Sequence, residues 1–198
     1  TQRITEIFKF AYGARTNLGD PNIETYLQNF INNLYNPDHW AETVNQIYDN
    51  QTFNDPEHYG ANYTVPDDHG TSQIGVLSAT DKSAISITAT VNTFFGCKIK
   101  GRRTGIIFNN DMDDFSTPGI TNDFGVEPSP ANYIKPGKRM LSSMCPTILS
   151  DIRTGQPFMV VGGAGGTKIT TAVFQNIVKK IAFNYSLGHS VSDPRIHH

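Results

Sequence analysis

The chain has 198 residues, 37% hydrophobic and 17% charged, which is enough apolar material for one large folded domain and too much for a disordered segment. A formal net charge of −2 without a basic run gives no footprint for nucleic acid, and no stretch has the apolar length of a membrane span. The 2 cysteines, Cys97 and Cys145, are too few for a disulfide framework, leaving one bridge or two free thiols.

Residues 1–48 read as helical. Ile4, Ile7, Phe8, Ala11 and Arg15 follow a helical rhythm that Gly19-Asp20-Pro21 breaks. Pro21 suits the first turn of a second helix with Ile23, Leu27, Phe30, Ile31 and Leu34 on one stripe. Asp38 is placed to cap a third helix with Trp40, Val44 and Ile47 turned inward. Residues 49–70 then lose all periodicity and become rich in Asn, Asp, Pro, Gly and Tyr, the composition of a long surface loop.

After Thr71 the period falls to two. Ile74, Val76 and Ser78 alternate with Gly75 and Leu77, and Asp81-Lys82 makes a hairpin turn. In the next strand Ile85, Ile87, Ala89 and Val91 face one way, and Ser86, Thr88, Thr90 and Asn92 the other. The apolar side is expected to pack a core. The hydroxyl-rich side faces either solvent or something polar. Residues 105–108 suggest a further short strand, ahead of the carboxylates Asp111, Asp113 and Asp114. Residues 116–142 are irregular and rich in Pro, Ser, Asn and Gly. Strands near 147–149 and 158–161 flank a turn at 151–155. The run Gly162-Gly163-Ala164-Gly165-Gly166 then leads into a helix carrying Ile169, Ala172, Val173, Ile177, Val178 and Ile181 inward.

The most telling stretch is Asp67-Asp68-His69-Gly70-Thr71. An unshielded Gly carbonyl precedes a Thr hydroxyl where loop gives way to strand. A threonine so placed can attack the carbonyl before it and be freed as an N-terminal nucleophile whose own amine serves as base. By itself Gly-Thr mostly marks ordinary turns.

The glycine run fails both nucleotide fingerprints. Gly166 is followed by Thr167-Lys168, where a phosphate loop needs Gly-Lys-Ser/Thr, and Lys168 stands where a dinucleotide loop has its third glycine. Two roles stay open: backbone N–H groups aimed at a developing negative charge, and tight packing at a helix start. The aspartate cluster reads as a metal site, a charge-binding site or a solvated loop, and the scattered histidines give no metal-ligand spacing. Ser142-Ser143 has neither a nucleophile elbow nor a recognisable paired His, and suits hydrogen bonding to a carboxylate. Cys145 reads as a small buried side chain. No motif calls for a cofactor or a metal. Sequons at Asn50, Asn62 and Asn184 are glycosylation candidates, the first two in the surface loop and the third in the last predicted helix.

Taken in order, Gly70-Thr71, Thr90-x-Asn92, Phe108–Phe115, Pro136-Gly137-Lys138, Leu141–Thr147 and Gly162–Gly166 resemble γ-glutamyltransferase (γ-glutamyl transpeptidase), the animal enzymes most closely. Residues 8–12 and Leu18-Gly19-Asp20-Pro21 look like the end of that family's large subunit. The resemblance implies an α+β N-terminal-nucleophile hydrolase fold, an αββα sandwich with antiparallel sheets between helical layers. It also implies a precursor that cuts itself before Thr71. Residues 1–70 would then end the large subunit, and 71–198 would form a C-terminally incomplete small subunit. By resemblance Thr71 is the nucleophile, Thr90 bonds its hydroxyl, and the N–H groups of Gly165 and Gly166 form the oxyanion hole. Asn92, Asp111 and Asp114 would hold the substrate α-amino group, and Ser142 and Ser143 its α-carboxylate. Implied partners are glutathione or another γ-glutamyl compound and an amino-acid or peptide acceptor, at the cell surface or in the extracellular space. Asp111 stands where the family more often has Glu or Gln, and the family's substrate-binding arginine lies in an earlier segment than this one. These departures motivate the alternative of a catalytically impaired secreted homologue acting as a binding or effector protein.

Overall fold

The computed structural model describes residues 1–65, 70–120 and 127–198. Asp67, Asp68 and His69 of the predicted processing stretch lie outside the described residues. The chain forms two compact units, Thr1–Pro66 with Met112–Leu141 and His198, and Asp67–Asp111 with Ser142–His197. These differ from the 1–70 and 71–198 division, which concerns processing rather than packing.

The first unit holds helices α1 (Gln2–Arg15), α2 (Leu27–Leu34) and α3 (Pro37–Asn45) and a 3₁₀ turn at Pro56–Tyr59. The second helix begins later than its stripe suggests, because Asp20 Oδ1 accepts the Asn22 N–H and turns the chain there before a helix can start. The third is capped by Asn36 rather than Asp38. The Asn36 Oδ1 accepts the Asp38 N–H at 3.0 Å, with Pro37 in the first turn. Trp40 and Val44 are more than half exposed instead of fully inward, and with Ile47 they line a cavity of about 580 Å³ shared with Phe10 and Phe30. Between α1 and the loop, buried Glu6 accepts the hydroxyls of Thr52 and Tyr59 at 2.7 and 2.8 Å. Burial alone would raise its pKa, but these hydroxyls and Lys9 outweigh it, so the carboxyl stays below its ordinary value.

Two sequence motifs of the same unit prove to be electrostatic clamps. Lys138, its side chain fully buried, donates to Glu24 Oε1 at 2.7 Å, and the half-exposed Lys135 reaches the same oxygen at 2.6 Å. Arg139 meets Asp20 through its backbone N–H and two guanidinium nitrogens. Bonds from Lys135 and Lys138 outweigh burial and depress the Glu24 carboxyl. Depression means that the unfolded chain takes up protons first, so the stabilisation is complete above the ordinary Glu range, about 4.3, and drains away as pH falls through the folded value. Lys138→Met strands part of a buried charge, with an expected loss of about 3 kcal/mol near neutral pH. Urea unfolding as a function of pH checks this: the gap between variant and parent should narrow as the carboxyl protonates.

The second unit is built on two antiparallel hairpins. Strands β1 (Thr71–Leu77) and β2 (Ala84–Thr90) pair from Thr71 opposite Thr90 to Leu77 opposite Ala84. Asp81 Oδ1 fixes their turn by accepting from the Ser83 N–H and hydroxyl, and Lys82 takes φ +61°. Strands β3 (Thr147–Ser150) and β4 (Pro157–Val161) form the other hairpin. Within this chain the apolar face of the first hairpin is not covered: Ile74, Val76, Ile85 and Ile87 are each more than half exposed, and the polar side is the one packed on β4. On that side the Gln73 amide takes the Thr88 hydroxyl and donates to Ser86 Oγ at 3.0 Å, and Ser86 Oγ donates to the Val161 carbonyl at 3.4 Å. A satisfied polar layer can be buried against β4. The segment 105–108 makes only an isolated bridge, Ile107 with Lys100, instead of a strand.

Helix α4 (Lys168–Ile181) buries Ile169 and Val173 as expected, while Ile181 is exposed. A short helix α5 (Leu187–Ser192), absent from the sequence reading, follows. Asn184 lies beyond α4 in a left-handed turn, not within the helix, and is exposed like Asn50 and Asn62. Cys97 and Cys145 are free thiols, the first exposed and the second half-buried.

Candidate active site

The β1–β2 register brings Gly70, Thr71, Thr90 and Asn92 together. Thr71 opens β1 opposite Thr90, which closes β2. The Thr90 hydroxyl donates to the Gly70 carbonyl oxygen at 2.9 Å and accepts the Asn92 N–H at 2.8 Å. Thr71 Oγ1 is buried and has no hydrogen-bond partner among the described residues. This differs from the expected Thr90 bond to the Thr71 hydroxyl. With the 70–71 peptide intact, the carbonyl before Thr71 sits in front of the Thr90 oxygen and takes its proton.

Asn92 is 2% exposed and adopts φ +66°. Asn tolerates this region better than most side chains, at a cost that surrounding bonds must offset. Its Nδ2 donates to the Asn110 carbonyl at 3.3 Å, and the Thr93 N–H donates to Asn110 Oδ1 at 3.1 Å. The Asn92 Oδ1 is buried without a partner among the described residues. The Asn110 N–H returns to the Val91 carbonyl, so the loop that delivers Asp111 is stitched to the end of β2. One 3₁₀ turn, Asp111–Asp114, carries Asp111 half-buried, Asp113 exposed and Asp114 buried. Asp114 belongs to the first unit, where its carbonyl accepts the Asn132 side chain at 2.7 Å.

The glycine run arrives at the same end of β1. A Cβ on Gly75 would meet Val160 and one on Gly162 would meet the Gln73 side chain at 2.3 Å. Gly162 therefore lies beside Gln73, near the Thr71 end of β1, and the rest of the run follows it toward α4. Gly165 takes φ +135°, which requires glycine, and Gly166 φ +57°, which favours it, and they lead into α4. The run thus combines a close approach at Gly162 with left-handed or extended-positive backbone at Gly165 and Gly166. Ser142 and Ser143 precede β3, whose Thr147 pairs with Val161, so they enter the hairpin at the end where the glycines leave it. Ser143 is buried, and Ser142 Oγ accepts the Met144 N–H at 3.2 Å. Among the described residues no group of three or more His, Cys, Asp or Glu is arranged to hold a metal ion.

Sequence reasoning missed Gln73, whose contacts fix the polar layer, and the special role of Asn110. The signals were present but faint: a lone amide on the hydroxyl-bearing face, and an Asn pair before the aspartates.

A buried threonine hydroxyl at a strand start, directly after a hydrogen-bonded glycine carbonyl, on a mixture of helices and antiparallel hairpins, fits an N-terminal-nucleophile hydrolase of the α+β class. The chain belongs to the gamma-glutamyltranspeptidase family, whose sequence profile matches residues 1–198. Glutathione hydrolase proenzyme 1 of Schizosaccharomyces pombe is 43% identical over 98% of this chain and 30% of its own length. Scoloptoxin SSD14 of Scolopendra dehaani is 40% identical over 99% of this chain and 33% of its own. The chain thus spans about a third of these curated relatives. A gamma-glutamyltranspeptidase from Pseudomonas nitroreducens, solved in complex with L-DON, superposes with a TM-score of 0.57 and 40% identity, covering 64% of each chain.

Proposed function

We propose that this chain carries the reacting centre of a self-processing γ-glutamyltransferase. The observation that carries the reading is the buried Thr71 Oγ1, without a partner among the described residues, directly after a carbonyl already hydrogen-bonded by Thr90. In self-cleavage, Thr71 Oγ1 attacks the Gly70 carbonyl carbon. The carbonyl oxygen gains negative charge, and the Thr90 O–H stabilises it, strengthened as a donor by the Asn92 N–H it accepts. The C–N bond then breaks and the nitrogen leaves with the hydroxyl proton as the Thr71 α-amine. Water hydrolyses the resulting ester, giving a Gly70 carboxylate and restoring the Thr71 hydroxyl.

In the mature protein the freed amine accepts the hydroxyl proton while Thr71 attacks the γ-carbonyl of glutathione or another γ-glutamyl compound. The displaced amine departs with that proton, and the γ-glutamyl ester on Thr71 passes to water or to an amino-acid or peptide acceptor. The N–H groups of Gly165 and Gly166 receive the transient oxyanion. Asn92 Oδ1 and the Asp111 carboxylate take the substrate ammonium, and charge-assisted bonds of this kind exceed neutral ones. The parts given to Asp114, Ser142 and Ser143 rest on the family resemblance. An extracellular location, with sugar at exposed Asn50 and Asn62, is the corresponding proposal for the cell.

Incubating the full-length protein with a γ-glutamyl anilide and a dipeptide acceptor tests the reading. Expected are two chains on a denaturing gel and aniline release that rises with acceptor. One uncut chain with background release would instead favour the impaired effector homologue.

A further inference from the structure

Gly70 does more than stand before the cut. Its backbone is left-handed, φ +72°, and an L-Cβ there would lie 2.4 Å from the Asn92 carbonyl oxygen, with the Asn92 carbon and Thr93 oxygen at 3.4 Å. Asn92 is poorly placed to retreat. Its N–H is held by Thr90 Oγ1, its Nδ2 by the Asn110 carbonyl, and the next N–H by Asn110 Oδ1. The same Thr90 oxygen that holds Asn92 also donates to Gly70 O, so position 70 and Asn92 lean on one hydroxyl from two sides.

We infer that Gly70 is a positioning residue for self-cleavage, chosen for handedness: only a residue without an L-Cβ lets the scissile carbonyl lie on the Thr90 hydroxyl while backing onto the Asn92 carbonyl. An L-side chain must leave the left-handed region and swing away from Asn92. That movement draws the carbonyl off Thr90, and the acyl transfer from nitrogen to Thr71 Oγ1 loses its oxyanion donor although both reacting atoms remain. This rests on the self-cleavage reading above.

The test is a time course of chain scission in the full-length protein, comparing the parent, Gly70→Ala, and the D-enantiomer of alanine installed at position 70 by ligation. D-alanine favours positive φ, and its methyl replaces the opposite α-hydrogen, turning away from Asn92. Gly70→Ala should cut at least about 100-fold more slowly, the scale of an ångström-sized misplacement, while the D-alanine protein cuts close to the parent rate. A parent-like rate for Gly70→Ala overturns the inference. So does equal slowing by both enantiomers, or an aggregated Gly70→Ala protein, since either makes the glycine a matter of room or folding. A parent that never cuts, or a Thr71→Ala control that does, removes the self-cleavage reading itself and is told apart by those two lanes.

Discussion

Thr71→Ala is expected to leave the protein as one uncut chain and to reduce γ-glutamyl transfer at least ~10⁴-fold, to the background of the uncatalysed reaction. The expectation follows from the chemistry of a single atom. On the proposed reading Thr71 Oγ1 is the attacking oxygen in both reactions, and the amine that serves as base exists only after the first has run. Removing the oxygen therefore removes nucleophile and base together. Among the described residues the buried hydroxyl has no partner, and a polar group so placed forfeits its hydration. Thr71→Ser retains the oxygen and should still cut and transfer. Mass spectrometry of the chains, with anilide release measured on the same sample, reads both steps. Cleavage at the same bond in Thr71→Ala would assign the chemistry to another group.

The comparison with the sequence shows which kinds of information are local. Helix α1, the turn at Asp81-Lys82 and the pairing of 71–77 with 84–90 were legible because periodicity and turn chemistry act over a few residues. So was the order of the site motifs, which the resemblance carried. Which face of β2 is covered was not legible. Alternation says that two faces differ, but not that the polar one meets β4 through Gln73, Ser86 and Val161, a contact reached across 75 residues between Ser86 and Val161. The roles of Lys138 and Asp20 were equally invisible: each motif was recognisable, yet their partners lie 114 and 119 residues away. At the site, the resemblance supplied Thr90 with the Thr71 hydroxyl as its partner, whereas in the uncut chain Thr90 donates to the Gly70 carbonyl. A hydroxyl can serve either Thr71 Oγ1 or the Gly70 carbonyl, and register together with the intact peptide decides for the carbonyl.

That assignment makes Thr90→Val the second large effect. Valine preserves shape and β-propensity but has no O–H for Gly70 O and no oxygen for the Asn92 N–H. Loss of one oxyanion donor costs about 10²–10³ in rate where it has been isolated, so the half-time of self-cleavage should lengthen by at least ~100-fold. Thr90→Ser restores the donor with a looser rotamer and should fall between the two. The direction of the effect separates two accounts of Thr90. If it serves chiefly to orient the Thr71 hydroxyl after processing, Thr90→Val should cut at a nearly parental rate and then show a depressed turnover. If it polarises the Gly70 carbonyl, scission is slowed first and most. Quenched-flow gels of freshly folded precursor, followed by turnover normalised to the cut fraction, distinguish these orders. The near-parental scission rate is the result that would return Thr90 to the role the sequence alone suggested.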